Sequence, residues 1–404
     1  MAFPAYRLVI PGIAALVLVA AFALPVGAGG EIYGTIHLED GCSLTGPIRW
    51  DLNEVFWDDV LDAEKQEQVW VEGSSSKVEV FGITFGDNDG YWTHHPFKIQ
   101  FGNLASLERR GSDRVRAVLK SGEKINVRPA GTDLGESMRG LVVTDRDEGE
   151  VELTWDEVDL VEFAAGPGEG LNAERLYGTV ECKARAFTGF ISWDKDEALT
   201  SDLLNGESND DEHEIPFGDI QRIERSGSRA SRVTLQDGST LRLEGTNDVN
   251  DENRGIEVLV PDLGVVKIPW DEFDEVTFQP APPSRRYEDF DGGQRLYGTL
   301  TDDLGDTYTG YVMWDLDEQY TWEFLDGECD DLEFELPYTW IKSIHRDSRR
   351  AAEVELKNGE RYLLTDSNDV DNDNKGIVIE LPDGDEMEFD WYDFRSLEFG
   401  LLTK

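Results

Sequence analysis

Along most of the chain apolar and polar residues alternate one by one. Val233 and Leu235, then Leu241 and Leu243, fall on one face of a pleated strand, while Thr234, Gln236, Arg242 and Glu244 fall on the other. Ile256, Val258 and Val260 continue the pattern, followed by Val266, Ile268 and Trp270. This alternation predicts half-buried antiparallel strands. Outside the N-terminal segment no stretch holds a helical period of convincing length. The pairs Ser121-Gly122, Asp237-Gly238 and Asn358-Gly359 predict hairpin turns with both residues at positive φ.

One phrase recurs six times: an aromatic, two residues, an apolar residue, two more residues, another apolar residue. It begins at Phe101 (with Leu104 and Leu107), Trp155 (Val158, Val161), Phe217 (Ile220, Ile223), Trp270 (Phe273, Val276), Tyr338 (Ile341, Ile344) and Trp391 (Phe394, Leu397). The instances pair at nearly constant separation: 155 − 101 = 54, 270 − 217 = 53, 391 − 338 = 53. Arg109, Arg225 or Arg346 follows the first phrase of each pair, and Phe163, Phe278 or Phe399 the second. A period of this kind predicts three copies of a two-module unit. Each copy opens on Tyr-Gly-Thr (Tyr33, Tyr177, Tyr297) and reaches a Trp-Asp pair (Trp50-Asp51, Trp193-Asp194, Trp314-Asp315).

The spacing within the phrase fits a strand, a one-turn 3₁₀ helix whose positions i and i+3 eclipse, and a resumed strand. Strand, tight turn, strand at the close of five strands resembles the ending of SH3-like small barrels. The resemblance implies an all-β chain of three tandem repeats, each a pair of SH3-like antiparallel barrels, and carries no function with it. The copies span 31–165, with an aromatic-rich insertion at about 55–97, then 174–279 and 295–400, with a Pro-containing linker at 280–294. Modules of roughly 50–60 residues are marginal alone, so Phe163, Phe278 and Phe399 are expected to join them. The three arginines are expected to form salt bridges between paired modules.

The 404 residues include 85 acidic and 37 basic ones, a formal charge of −48. That charge repels phosphate backbones and anionic membranes, leaving basic proteins, cations and neutral glycans as partners. Residues 1–28 have the layout of a secretory signal peptide: Arg7, an apolar run from Leu8 to Leu24, then Val26 and Ala28 at a cleavage site. An uncleaved anchor is the rival. The expectation is a secreted or periplasmic protein of the bacterial envelope with no membrane span after cleavage. Cys42, Cys182 and Cys329 stand at unrelated repeat positions, so they build no shared disulfide framework.

A polar loop repeats in each copy: Thr132-Asp133-Leu134 … Arg139-Gly140, Asn247-Asp248-Val249 … Arg254-Gly255, Asn368-Asp369-Val370 … Lys375-Gly376. Its plain reading is an Asp capping amides, a left-handed Gly and a locally paired cation. In the third copy alone Asp369, Asp371, Asp373 and Glu380 stand at positions 1, 3, 5 and 12, the ligand spacing of a calcium loop. Calcium is thus the one candidate cofactor, although Asn374 occupies the usual Gly position and the flanks look like strands. In the insertion, Tyr91, Trp92, His94 and His95 are candidate ligand contacts; an extra hairpin packed on the barrel is the alternative. No catalytic residue is assigned, since none of the nucleophile or metalloprotease motifs occurs. The leading expectation is a non-enzymatic binding or scaffolding module for an envelope protein or glycan. A calcium-dependent adhesin or matrix protein, and a hydrolase of wall polymers, are the alternatives.

Overall fold

The computed structural model describes residues 30–68, 70–71, 77–80, 83–86, 92–167, 174–209 and 211–400; the signal-peptide expectation lies outside them. The described chain is all-β, with antiparallel sheets of ten and twenty strands and a small one of three. The segment from Tyr177 to Phe278 makes ten strands: Tyr177–Cys182, Ala186–Ser192, Leu203–Ser208, Asp211–Pro216, Ile220–Arg225, Ala230–Leu235, Thr240–Glu244, Ile256–Val260, Gly264–Ile268 and Phe273–Phe278. Counted first to tenth, their order across the sheet is ninth, eighth, second, first, tenth, fifth, sixth, seventh, third, fourth. The segments Tyr33 to Phe163 and Tyr297 to Phe399 make the same order from their own strands, the short insertion strands aside.

This order differs from two self-contained modules. The eighth–ninth hairpin, from the second half, adds to the first and second strands, and the third–fourth hairpin, from the first half, adds to the sixth and seventh. The halves have therefore exchanged hairpins. Halves with the same hydrophobic pattern offer equivalent edges, so a hairpin from either fits both. The turn after the Trp-Asp pair decides the matter. Asp51 and Leu52, Asp194 and Lys195, and Asp315 and Leu316 all have positive φ and send the chain across to the other half.

The recurring phrases meet where the halves join. The fifth strand pairs with the tenth, setting Leu107 opposite Val161, Ile223 opposite Val276 and Ile344 opposite Leu397. Above them, Phe163 packs on Phe101, Phe278 on Phe217 and Phe399 on Tyr338, with ring centroids 6.0, 5.8 and 5.7 Å apart. The Trp of each Trp-Asp pair meets the aromatic of the second phrase edge-on, at 6.2, 6.2 and 6.3 Å. Arg109 and Arg225 reach acidic residues of the second half, Asp156 and Asp274. Arg346 instead donates to the carbonyls of Trp391 and Tyr392.

Two local expectations change. The one-turn helix forms at Phe101–Asn103, Trp155–Glu157, Phe217–Asp219 and Tyr338–Trp340. At Trp270 and Trp391 it is a plain turn, closed by Glu272 N–H donating to Pro269 O and Asp393 N–H to Asp390 O. In the X-Gly hairpins only Gly122, Gly238 and Gly359 have positive φ. Leu119 N–H donates to Glu123 O across a three-residue loop, so one left-handed residue suffices.

The units are not beads on a string. The ninth strand of the second unit pairs with the fourth of the third, Leu332–Pro337, and a Cβ on Gly264 would meet Glu335 O at 2.1 Å. In the first unit the insertion lengthens the third–fourth hairpin, Val60–Gln68 against Trp92–Gln100. The base of this arm clasps the third unit, where Phe97 packs against Trp322 at 5.4 Å. The Pro-containing segment also docks: Tyr287 Oη donates to Leu104 O, and Phe290 lies so close to Gly102 that an added Cβ would meet its ring at 2.1 Å.

Phe163 is buried among Trp50, Trp57 and Phe101, so Phe163→Ala should cost about 3–5 kcal/mol by denaturant unfolding. An isolated first half, residues 174–226, should give poor amide dispersion in NMR spectra, because its third–fourth hairpin lacks the strands it adds to. A cooperative monomeric melt of that fragment would refute the exchanged pairing.

Candidate functional site

Two kinds of charged cluster stand out. The first lies at unit boundaries. Lys65, on the arm, is buried against the third unit, donating to Asp317 at 3.0 Å and to Glu323. Lys98 and Lys267 both pair with Glu335, and Arg175 with Asp58 and Asp59. Asp196 receives Arg139 of the first unit and Arg254 of its own. Arg139, Arg175, Arg254 and Lys267, with their partners Asp58, Asp59, Asp196 and Glu335, line a cavity of about 440 Å³ among the three units, whose wall also carries Glu54, Asp62, Asp133 and Glu257.

The second cluster repeats within each unit, and the local sequence explains how. After the Trp-Asp turn, Glu54, Glu197 and Glu318 make an antiparallel bridge back to Trp50, Trp193 and Trp314. The Trp indole donates to the backbone carbonyl of Asp133, Asp248 or Asp369, at 2.8, 2.9 and 2.9 Å. Each of these aspartates accepts, through Oδ2, a backbone N–H near the start of the third strand: Asp62, Asn205 and Asp326. Asp51, Asp194 and Asp315 are held by the basic residue of the polar loop, Arg139, Arg254 or Lys375. The following Gly140, Gly255 and Gly376 have positive φ, as the plain reading of that loop requires.

Three carboxylates thus converge in two of the units. In the first two units one oxygen from each of Asp51, Glu54 and Asp133, and from each of Asp194, Glu197 and Asp248, lies within 4.8 Å of the others. Asp51 and Asp194 are fully buried. In all three units the glutamate Oε2 is buried without a hydrogen-bond partner. Burial, then the neighbouring aspartates, pushes Glu197 up to about 8 and Glu54 well above its usual range. Burial likewise lifts Asp133 to about 7. A sequence signal existed: Trp-Asp-x-x-Glu occurs at Trp50, Trp193 and Trp314. The glutamate recurs as regularly as the Trp-Asp pair before it.

The proposed calcium loop is arranged differently from its spacing. Asp369 belongs to the carboxylate cluster, and its carboxylate accepts from Asp326 N–H. Asp371 Oδ1 accepts the N–H of Asp373. Glu380 sits on the eighth strand of its unit and pairs with Arg295 at 2.9 Å. The carboxylates of Asp369, Asp371 and Glu380 are therefore tied to separate partners along a loop and a strand. In the insertion, Tyr91 lies outside the described residues, as do the side chains of Trp92 and His94. Both are on the strand Trp92–Gln100, opposite Gln68 and Gln66. His95 Nδ1 lies 3.3 Å from Asp317, so it faces the third unit.

Lys65→Met should destabilise by about 3–5 kcal/mol at pH 7, because it strands two buried carboxylates. Burial raises Glu323 above its usual range, so the loss measured by chemical denaturation should shrink as pH falls and Glu323 takes up a proton. For Glu197 the folded pKa exceeds the unfolded one, so its ionisation opposes folding as pH rises from the ordinary carboxylate range towards about 8. In chelator, Glu197→Gln should match the wild-type melting temperature near pH 4 and exceed it near pH 8.

Among the described residues no helix is long and apolar enough to cross a membrane. No family model, curated protein or solved structure matches the chain.

Proposed function

We propose that the chain is a non-enzymatic binding or scaffolding module, exported to the bacterial cell envelope, that holds three ten-stranded units in fixed relation for an envelope protein or glycan. The observation that carries this reading is the use made of charge at the boundaries. Lys65, Lys98, Arg139 and Arg175 each bind carboxylates of another unit. Such pairing fixes geometry, whereas a catalytic cleft needs groups left open to substrate. Several linked units also favour repeated weak contacts, which gain from effective concentration. Each five-strand set places its last strand beside its first, which supports SH3-like barrels with exchanged hairpins as the finer description of the fold.

The test uses the full chain, because the second unit shares a sheet with the third. Immobilised protein should retain a basic protein or an envelope glycan, with salt weakening only the former. Clearing of wall polymers without retention of either would overturn the reading in favour of a hydrolase. The calcium-dependent alternative is favoured by the carboxylate clusters.

A further inference from the structure

We propose that Asp51, Glu54 and Asp133 hold one hard divalent cation such as calcium, and that Asp194, Glu197 and Asp248 hold a second. This assignment does not depend on what the protein binds elsewhere. Four observations lead to it.

The donors are all carboxylate oxygens, which select hard cations. Their spacing permits a shared ion. The three oxygens lie within 4.8 Å of one another, close enough for one cation to sit among them. The charge count agrees. In each cluster three carboxylates face one guanidinium, Arg139 or Arg254, which leaves two negative charges for a divalent ion to cancel.

The fourth observation is the glutamate. Glu54 Oε2 and Glu197 Oε2 are buried with no partner, although a buried carboxylate oxygen without a donor is costly. Their aspartate neighbours are engaged, Asp133 and Asp248 by backbone N–H groups and Asp51 and Asp194 by arginine. The glutamate is the one member still lacking a counterpart, and a cation at the point of convergence supplies it. The third unit differs. Its glutamate oxygen is also unpartnered, but Lys65, which lines the same small cavity of about 70 Å³ as Glu318 and Asp369, bonds to Asp317 and Glu323. Among the described residues only the first two units gather three carboxylate oxygens within 4.8 Å, so two sites per chain are expected.

The experiment is calcium titration by calorimetry on the full chain after chelator treatment, comparing wild type with E54Q, E197Q, the double variant and D371A. Glutamine keeps the shape and removes the charge, so the folds should survive; far-ultraviolet dichroism checks this. The expected stoichiometry is two for wild type and D371A, one for each single variant and none for the double. Terbium gives a readout that needs no variant. Trp50 and Trp193 each bond to a backbone carbonyl of a cluster aspartate, so terbium bound there should luminesce on tryptophan excitation and be displaced by calcium. Equal stoichiometry in wild type and the double variant, loss of binding in D371A alone, or no sensitised emission from wild type would each overturn the assignment.

Discussion

The pairing of the fifth strand with the tenth is the contact on which each unit depends. It places the third apolar position of one phrase opposite its counterpart in the other, as in Ile223 and Val276. It also brings together the rings of Phe217 and Phe278. Neither half could enclose these residues alone, because each has given a hairpin to the other. Burial of the shared apolar surface is the main favourable term, and the exchanged hairpins make it available only when both halves are present. The repeated phrase is therefore an internal interface, which explains why it recurs six times and varies so little in residue type.

Charge plays the complementary part between units. A chain of net charge −48 repels itself, and compaction raises that cost. The basic residues offset it where it would be worst, at the boundaries. Arg175 sits between Asp58 and Asp59, while Lys98 and Lys267 converge on Glu335. The insertion of the first unit acquires a structural meaning here. Its base carries Lys65, His95, Phe97 and Lys98 onto the third unit, so the aromatic-rich excess begins as a clasp.

The carboxylate clusters are the exception to this matching. The residues that share each cluster are paired: indole to carbonyl, one aspartate to a backbone amide, the other aspartate to the basic residue of the polar loop. The unpartnered glutamate oxygen occurs in every unit and so follows from the shared Trp-Asp-x-x-Glu geometry. Departures from hydrogen-bond satisfaction are few in folded proteins, and in the first two units this one coincides with three converging carboxylate oxygens.

By itself the sequence determined the strands, their alternation and the six recurring phrases, because these depend on local periodicity and turn chemistry. It also marked the Trp-Asp pair, the left-handed glycines of the polar loop and the basic residue beside them. Which hairpin pairs with which edge was beyond it, since two halves with one pattern satisfy either arrangement equally. Positive φ at Asp51, Asp194 and Asp315 settled that choice. The clusters were likewise hidden. Glu54 and Asp133 are far apart in sequence, and their nearness depends on the exchanged third strand, which Asp133 caps through Asp62. Of the acidic residues spaced as Asp369, Asp371, Asp373 and Glu380, the last falls on a strand and meets Arg295. Sequence set the repeating parts; tertiary pairing decided which carboxylates share a site.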